Sequence, residues 1–429
     1  MPELRGLLES ALDASPQIIS ARLSLESTKA SYIVSRAARL PYLSAGGSYD
    51  SASRRTTEPE PGPVTRSDSF SYNARVSMPL FHWGAIKRQT EISKLEVLFQ
   101  EVNIAAAYQA LAVSVRRQYL ALVYQQMALR NARYTSKMAD DYLALQKSKL
   151  EAGTLPAGAI LTPELAAVEA KLVYEQAVEA QRFAAESLAR LCGVAQIDLE
   201  RLPQTMPEQK LSESVLTRYF NELAEATDLS KTAQAIQSEI RLEQDDLRYK
   251  IARANLLPKF GLGASYGVGN TTGVANNVVT VSATEDTSYG VSASWLIFDG
   301  LATRGQKLSI LASKRLNERA LKTYLEETQA ELVNLEKQIE HATRRTELAQ
   351  RRYDLARDAV RLTQDNFDAG VASQNAVTGV TSNAYQAELI LADARQTELN
   401  LWTQYISTAG LDPVLENFSV INERISHGR

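Results

Sequence analysis

Cysteine is almost missing from this chain. Cys192 stands alone among 429 residues, which excludes an internal disulfide and a cysteine-rich metal site. Histidine is scarce as well. His82, His341 and His427 are far apart and show no ligand spacing, so they read as ordinary structural or surface residues. No run of 18 or more apolar residues occurs, and no transmembrane helix is therefore available. The opening Met1-Pro2-Glu3-Leu4-Arg5 has no apolar signal-peptide core. It fits either a cytoplasmic chain or a mature exported chain with an added start codon, and the strands described below favour the second. Net charge is −3, without the basic excess that nucleic acid demands. At 45 % hydrophobic and 23 % charged residues, the chain is too apolar to be disordered.

Catalytic signatures are missing too. There is no nucleophile–base–acid set and no pair of carboxylates with a mechanism, so no enzyme and no cofactor is expected. The run Gly261-Leu262-Gly263-Ala264-Ser265-Tyr266-Gly267 faintly resembles a phosphate loop, but it lies in an alternating stretch with no helix after it.

What the chain does contain is a copy of itself. Arg36-Ala37-Ala38-Arg39-Leu40-Pro41 resembles Arg253-Ala254-Asn255-Leu256-Leu257-Pro258, and Pro41 to Pro258 is a step of 217 residues (258 − 41). The same step pairs Ser48-Tyr49 with Ser265-Tyr266, Ser71-Tyr72 with Ser288-Tyr289, Phe81 with Phe298, Ala152-Gly153 with Ala369-Gly370, and Gly193 with Gly410. One offset held without a gap indicates two copies of one structural unit. The organisation expected is a first repeat over 1–193, a connector over 194–227, a second repeat over 228–410 and a C-terminal segment over 411–429.

Each copy holds two stretches of period-2 alternation, the signal of a strand with one apolar face. Phe70, Tyr72, Ala74, Val76 and Met78 alternate with polar residues. So do Tyr289, Val291, Ala293, Trp295 and Ile297, and Phe260, Leu262, Ala264, Tyr266 and Val268. Leu43, Ala45 and Tyr49 occupy the matching face of the first. Strands are expected at about 41–56, 69–82, 258–270 and 287–299, forming two hairpins whose tips are the polar stretches 56–68 and 270–287. The first tip carries Glu58-Pro59-Glu60-Pro61-Gly62-Pro63, which cannot enter a ladder. Such strands fit a sheet packed on helices, or a membrane barrel that is apolar outside and polar within. About ten residues suffices for a tilted crossing, and Tyr49, Phe70, Tyr72, Tyr266, Tyr289 and Trp295 supply interfacial aromatics. Four strands cannot close a barrel, which needs about eight. A membrane reading therefore requires several copies of the chain, because open edges in lipid leave backbone groups unpaired.

Long proline-free helices follow each second strand, from about Ala85 to Leu150 and from about Ala302 to Phe367. At 1.5 Å per residue each would run about 100 Å. Ile92, Phe99, Ala106, Val113, Leu120, Met127 and Tyr134 recur every seven residues. Leu325, Leu332, Ile339, Tyr353, Val360 and Phe367 keep the same spacing, with Thr346 in the remaining slot. This is coiled-coil patterning. Each long helix ends at Gly153 or Gly370 and turns into a second helix, roughly Leu161–Leu191 and Ala376–Ala409. A shorter helix, about Pro16–Arg39 and Lys231–Leu256, precedes each first strand and stops before Pro41 or Pro258.

Taken in order, these motifs resemble the TolC-like outer-membrane factor family over nearly the whole chain. The resemblance rests on the twofold repeat, Leu40-Pro41 and Leu257-Pro258, Pro79-Leu80-Phe81-His82-Trp83-Gly84, Trp295-Leu296-Ile297-Phe298-Asp299-Gly300, and the Ala-Gly turns at Gly153 and Gly370. It implies a mainly α fold with a β-barrel part. Three protomers would build a twelve-stranded outer-membrane barrel continuous with a twelve-helix periplasmic tunnel, and the connector and C-terminal segment would belt it. It also implies a passive exit duct of a tripartite efflux system for small toxic compounds. The partners implied are outer-membrane lipid, a periplasmic adaptor, and an inner-membrane pump of the RND or ABC type. Some relatives carry a lipidated N-terminal cysteine, and none is present here.

Adaptor-docking tips are implied at Gly153, Thr154 and Leu155, and at Gly370, Val371 and Ala372. A periplasmic gate is implied at Phe367, where relatives often carry tyrosine, with Asp365 and Asp368 beside it. Relatives often hold aspartates six and nine residues beyond the second glycine and an arginine two beyond it. Here those positions are Ala376, Gly379 and Ala372, so closure by packing of Phe367 is expected rather than an acidic ring. The barrel would meet lipid through Tyr49, Tyr72, Val76, Tyr266, Tyr289 and Trp295. A duct of a type I protein-secretion system is an alternative within the same fold. A soluble coiled-coil scaffold and a pore-forming toxin are alternatives of other classes.

Overall fold

The structure, a computed structural model, describes residues 2–55, 57, 64–208, 213–275 and 278–413. The proline-rich stretch 58–63, His427 and most of the expected C-terminal segment lie outside these residues. The elements run α1 (Pro2–Ala14), α2 (Pro16–Ala37), β1 (Tyr42–Arg54), β2 (Thr65–Phe81), α3 (Ala85–Glu151), α4 (Leu161–Cys192), α5 (Glu213–Ala226), α6 (Ala233–Ala254), β3 (Lys259–Ala275), β4 (Val278–Ser294), α7 (Ala302–Asp368) and α8 (Gln374–Thr408). The chain divides into two compact units. One comprises 1–23, 101–237 and 322–429, and the other comprises 24–100 and 238–321.

The second unit carries the sheet, an antiparallel meander in the order β1-β2-β3-β4. Its register brings every alternation into phase. Tyr49 faces Phe70, Val76 faces both Leu43 and Ala264, and Ala264 faces Tyr289. Opposed residues project to the same side, so the apolar sets of four strands merge into one face. The serines and glycines make the other. Ser48 meets Ser71 at 2.9 Å there, and the repeat-related Ser265 meets Ser288 at 2.8 Å.

Two expectations about the strands are corrected. The stretch 270–287 is not a long polar tip, because the β3–β4 ladder runs out to Ala275↔Val278. β-branched residues such as Val279, Thr280 and Val281 suit a pleated strand even where one face is polar. In the other direction β4 stops at Ser294, so Trp295 and Ile297 are not strand residues. The last rung is Lys259↔Ser294. Trp295 instead donates its indole N–H to the Leu256 carbonyl at 3.0 Å.

Helical segments of the same unit are tied by polar contacts. The Asp245 carboxylate, almost fully buried, accepts from Asn317 at 2.7 Å and from Arg248 at 2.9 Å. Gln244 donates to Glu96 at 3.0 Å, and the Arg241 guanidinium lies 4.9 Å from the Phe99 ring centre.

In the first unit α5, within the connector, packs Leu216 and Phe220 against Leu332, Leu335 and Ile339 of α7 and Trp402 and Tyr405 of α8. Phe220 stacks on Trp402 with ring centres 5.4 Å apart. The heptad positions behave as their spacing predicts: none of those from Ile92 to Tyr134 or from Leu325 to Phe367 is exposed.

Helices end on repeated caps. Gly193 has φ +67°, and the N–H groups of Gly193 and Val194 return to the Arg190 and Ala189 carbonyls. This is the Schellman arrangement, which requires a left-handed residue. A Cβ built on Gly193 would sit 2.7 Å from the Ala14 Cβ, whereas one built on Gly153 (φ +69°) would meet nothing within 4 Å. Gly153→Ala is therefore expected to cost only the left-handed penalty, about 1–2 kcal/mol. Gly193→Ala adds a steric clash of about 1–3 kcal/mol. Equilibrium denaturation of the two variants in detergent checks the order, and equal losses would contradict it.

Candidate functional site

The turns joining α3 to α4 and α7 to α8 are built alike. Gly153 N–H returns to the Leu150 carbonyl at 2.9 Å and Thr154 N–H to Lys149 at 3.0 Å. Gly370 returns to Phe367 at 2.9 Å and Val371 to Asn366 at 2.8 Å. Both are Schellman closures with a left-handed glycine, and they present the next residues outward. Val371 is 81 % exposed, Thr154 and Gly370 are exposed, and Leu155 and Ala372 are half-covered. Beyond the glycines the turns differ. After Gly153 comes a 3₁₀ turn over Ala157–Ile160 with no side-chain cap. After Gly370, Ser373 caps α8 by accepting the Ala376 N–H at 3.2 Å.

Phe367 lies half-buried in the last turn of α7, with Asp365 and Asp368 exposed beside it. Gln364 donates to Asp368 at 2.9 Å, one turn apart on the same helix. The two carboxylates thus read as solvated helix-end groups in a single chain.

Further along, α3 is fastened to α8. Arg130 donates to Glu388, whose side chain is only 14 % exposed, at 2.5 Å. Tyr134 packs on Tyr385 with ring centres 4.6 Å apart. Tyr353, Arg357 and Gln364 of α7 line a groove with Arg130, Tyr385 and Glu388, and the Arg357 guanidinium lies 5.8 Å from the Tyr353 ring centre. Elsewhere in the same unit, Arg116 forks onto the buried Asp412 carboxylate, one arm at 2.9 Å, and Gln109 donates to the Ser407 hydroxyl at 3.0 Å. The Tyr405 hydroxyl donates to Glu336 at 3.0 Å, and burial raises its pKa. Of these residues the heptad spacing had marked only Tyr134 and Tyr353. Partners on α8 could be suspected from the aromatics Tyr385, Trp402 and Tyr405, but their pairing across helices has no signal in sequence.

On the sheet, Tyr49, Tyr72, Val76, Tyr266 and Tyr289 share the apolar face. Trp295 stands apart, just beyond the last rung, and is exposed. Two carboxylates also lie on that face: Tyr49 donates to Asp68 at 3.5 Å and Tyr266 to Glu285 at 3.0 Å. These pairs are related by the repeat, and sequence reasoning had missed them. Among the described residues no helix is long and apolar enough to cross a membrane, and no group of His, Cys, Asp and Glu could hold a metal.

The family described as outer membrane efflux protein matches residues 7–194 and 222–404. A curated relative, outer membrane protein OprJ of Pseudomonas aeruginosa, is 25 % identical over 271 residues, which is 62 % of this chain. That match spans 54 % of the relative's length. Among solved structures, the Campylobacter jejuni CmeC outer membrane channel superposes with a TM-score of 0.73 at 14 % identity, covering 98 % of this chain and 89 % of that one. The open state of the Neisseria gonorrhoeae MtrE outer membrane channel gives 0.69 at 18 % identity, covering 95 % and 89 %.

The Arg130–Glu388 pair yields a measurable quantity. Because Glu388 is largely buried, a double-mutant cycle of Arg130→Ala and Glu388→Ala is expected to give a coupling of about 1–2 kcal/mol, above the value for an exposed pair. Denaturant titration of the four proteins reads it, and a coupling near zero would make the contact incidental.

Proposed function

The chain belongs to the outer membrane efflux protein family, so it is an outer-membrane channel protein reaching into the periplasm and not an enzyme, and from that premise we propose that three copies assemble into one passive exit duct. The observation that carries the proposal is a four-stranded sheet with one apolar face and a ladder on only one side of β1 and of β4. Three such sheets make a closed twelve-stranded barrel that leaves no backbone edge in lipid. Tyr49, Tyr72, Val76, Tyr266 and Tyr289 then face the bilayer, with Trp295 at its periplasmic border.

The helices support the same assembly. Leu161, Leu165, Val168 and Leu172 form an exposed stripe on α4, and Leu348, Leu355 and Leu362 form another on α7 at heptad spacing. Neighbouring copies would cover both stripes in a helical tunnel. The connector, with α5 seated on α7 and α8, and the C-terminal segment form its belt. A duct of this kind fits the efflux of small toxic compounds, driven by an inner-membrane pump of the RND or ABC type through a periplasmic adaptor. OprJ, CmeC and MtrE are outer-membrane proteins by name, which supports this use.

Docking falls to the outward turns, Gly153-Thr154-Leu155 and Gly370-Val371-Ala372. Cysteines introduced at Thr154 and Val371 are expected to cross-link to the periplasmic adaptor in cells. The same substitutions at Ser51 are expected to give no adapter product, and equal labelling from both ends would defeat the docking assignment. The gate falls to Phe367, whose half-buried ring ends α7. Asp365 and Asp368 set its charge. Phe367→Ala is expected to raise the closed-state conductance of single channels in planar bilayers, and an unchanged conductance would count against a packed gate.

A further inference from the structure

The sheet carries two kinds of information about its neighbour. One is the repeat, and the other is the observed β2–β3 ladder. Advancing β2 by the 217-residue repeat step lands on β4, and moving β3 back by the same step lands on β1. The β2–β3 ladder therefore transposes into a ladder between β4 of one chain and β1 of the next. Tyr72↔Val268 becomes Tyr289↔Ser51, Ala74↔Tyr266 becomes Val291↔Tyr49, and Arg75↔Ser265 becomes Ser292↔Ser48. At the far end Ser69↔Thr271 becomes Asp286↔Arg54, and Asp68↔Thr272 becomes Glu285↔Arg55.

The geometry points to this register for the seam between copies, closed at the hairpin-tip end of the barrel by Arg54–Asp286 and Arg55–Glu285 ion pairs. The inference rests on the trimeric duct argued above and adds to it how the chains join.

Charge complementarity supports it independently of the repeat. Within one chain the transposed positions hold no such pairs, since the partners of Ser69 and Asp68 are Thr271 and Thr272. Arginine appears at 54 and 55 in the first copy, where the second has threonine, and acid appears at 286 where the first copy has Ser69. The charges thus diverge from the repeat on the two outer strands, in complementary positions. Among the described residues no ion pair engages Arg54, Arg55 or Asp286, and Glu285 accepts only from Tyr266.

Phase narrows the alternatives. A slip of one residue would turn the apolar face of one copy onto the serine face of the next. A slip of two keeps the faces together but sets Arg54 opposite Thr284 or Ser288, and the match of charges is lost. In the transposed register Gly46 to Arg54 run against Ser294 to Asp286, all within the observed strands. A head-to-tail contact of this kind, repeated by rotation, closes into a ring.

Disulfide trapping tests the register. Cys192 is buried and burial pushes its thiol up to about 11, but Cys192→Ser removes it from the background. In that background Ser48→Cys with Ser292→Cys, and separately Ser51→Cys with Tyr289→Cys, are oxidised in outer membranes with copper phenanthroline. Neighbouring rungs alternate between close and wide spacing, so the two pairs sample both, and each spacing lies within disulfide reach. Most of the chain is expected in covalent oligomers of its own mass multiples. Ser48→Cys with Ser294→Cys is displaced by about 6.8 Å along the strand, beyond disulfide reach, and is expected to remain uncoupled. Cross-linking of the displaced pair in place of the matched ones, with an intact SDS-resistant trimer, overturns the register. So does a product with a chain of different mass. Failure of all three pairs in a protein that is monomeric without detergent overturns the duct itself.

The ion pairs have their own readout. Arg54→Glu is expected to lower the temperature at which the SDS-resistant trimer dissociates, and Arg54→Glu with Asp286→Arg is expected to restore it. A double variant no more heat-resistant than the single one removes the ion pairs from the seam.

Discussion

Everything in this chain turns on backbone groups that it cannot satisfy alone. β1 and β4 each pair on one side, and their outer N–H and C=O groups point away from the molecule. In water such an edge is tolerable. In hydrocarbon every unpaired group costs several kcal/mol, a penalty that no side-chain packing on four strands can offset. Membrane insertion and assembly are therefore one event for the sheet. The helices face a milder version of the same demand. An exposed leucine such as Leu165 or Leu355 forfeits about 1.5–3 kcal/mol of burial. In the proposed assembly the hydrogen-bond edge would drive association of the barrel, and the apolar stripes would drive that of the helices in the aqueous periplasm.

Much of this was legible because two periods are hard to disguise. The two-residue alternation from Phe70 to Met78 and the seven-residue stripe from Ile92 to Tyr134 each reflect a buried or lipid-exposed face, and the structure keeps both. The glycine stops at 153 and 370 were readable for a different reason: a left-handed closure leaves few other residues to choose from. Where reading failed, the local composition misled. Polar Asn270 to Thr287 resembles a loop, yet threonine and valine serve a strand well where the β3–β4 ladder continues out to Ala275↔Val278. At Trp295 the alternation persists in sequence after the ladder has run out at Lys259↔Ser294, and the indole N–H goes instead to the Leu256 carbonyl, far away along the chain. Such long-range causes, like the Arg130–Glu388 pairing, leave no trace in a window of neighbouring residues.

The repeat explains why one set of rules builds the whole sheet, and its exceptions are the informative part. Identical spacing makes the internal β2–β3 junction a template for the junction proposed between chains. Regularity of that kind has a hazard: equivalent strands can pair in the wrong partnership. Arg54 and Asp286, whose repeat-equivalent positions hold Thr271 and Ser69, distinguish the outer strands from the inner ones. The tips diverge as well. Thr154-Leu155-Pro156 leads into an uncapped 3₁₀ turn, while Val371-Ala372-Ser373 leads into a capped helix. In the proposed three-chain assembly the six turns would alternate between two chemistries. Elements that the two copies share, the in-phase strands and glycine closures, maintain the fold. Elements that they do not share are free to specify which chain, and which partner, is met.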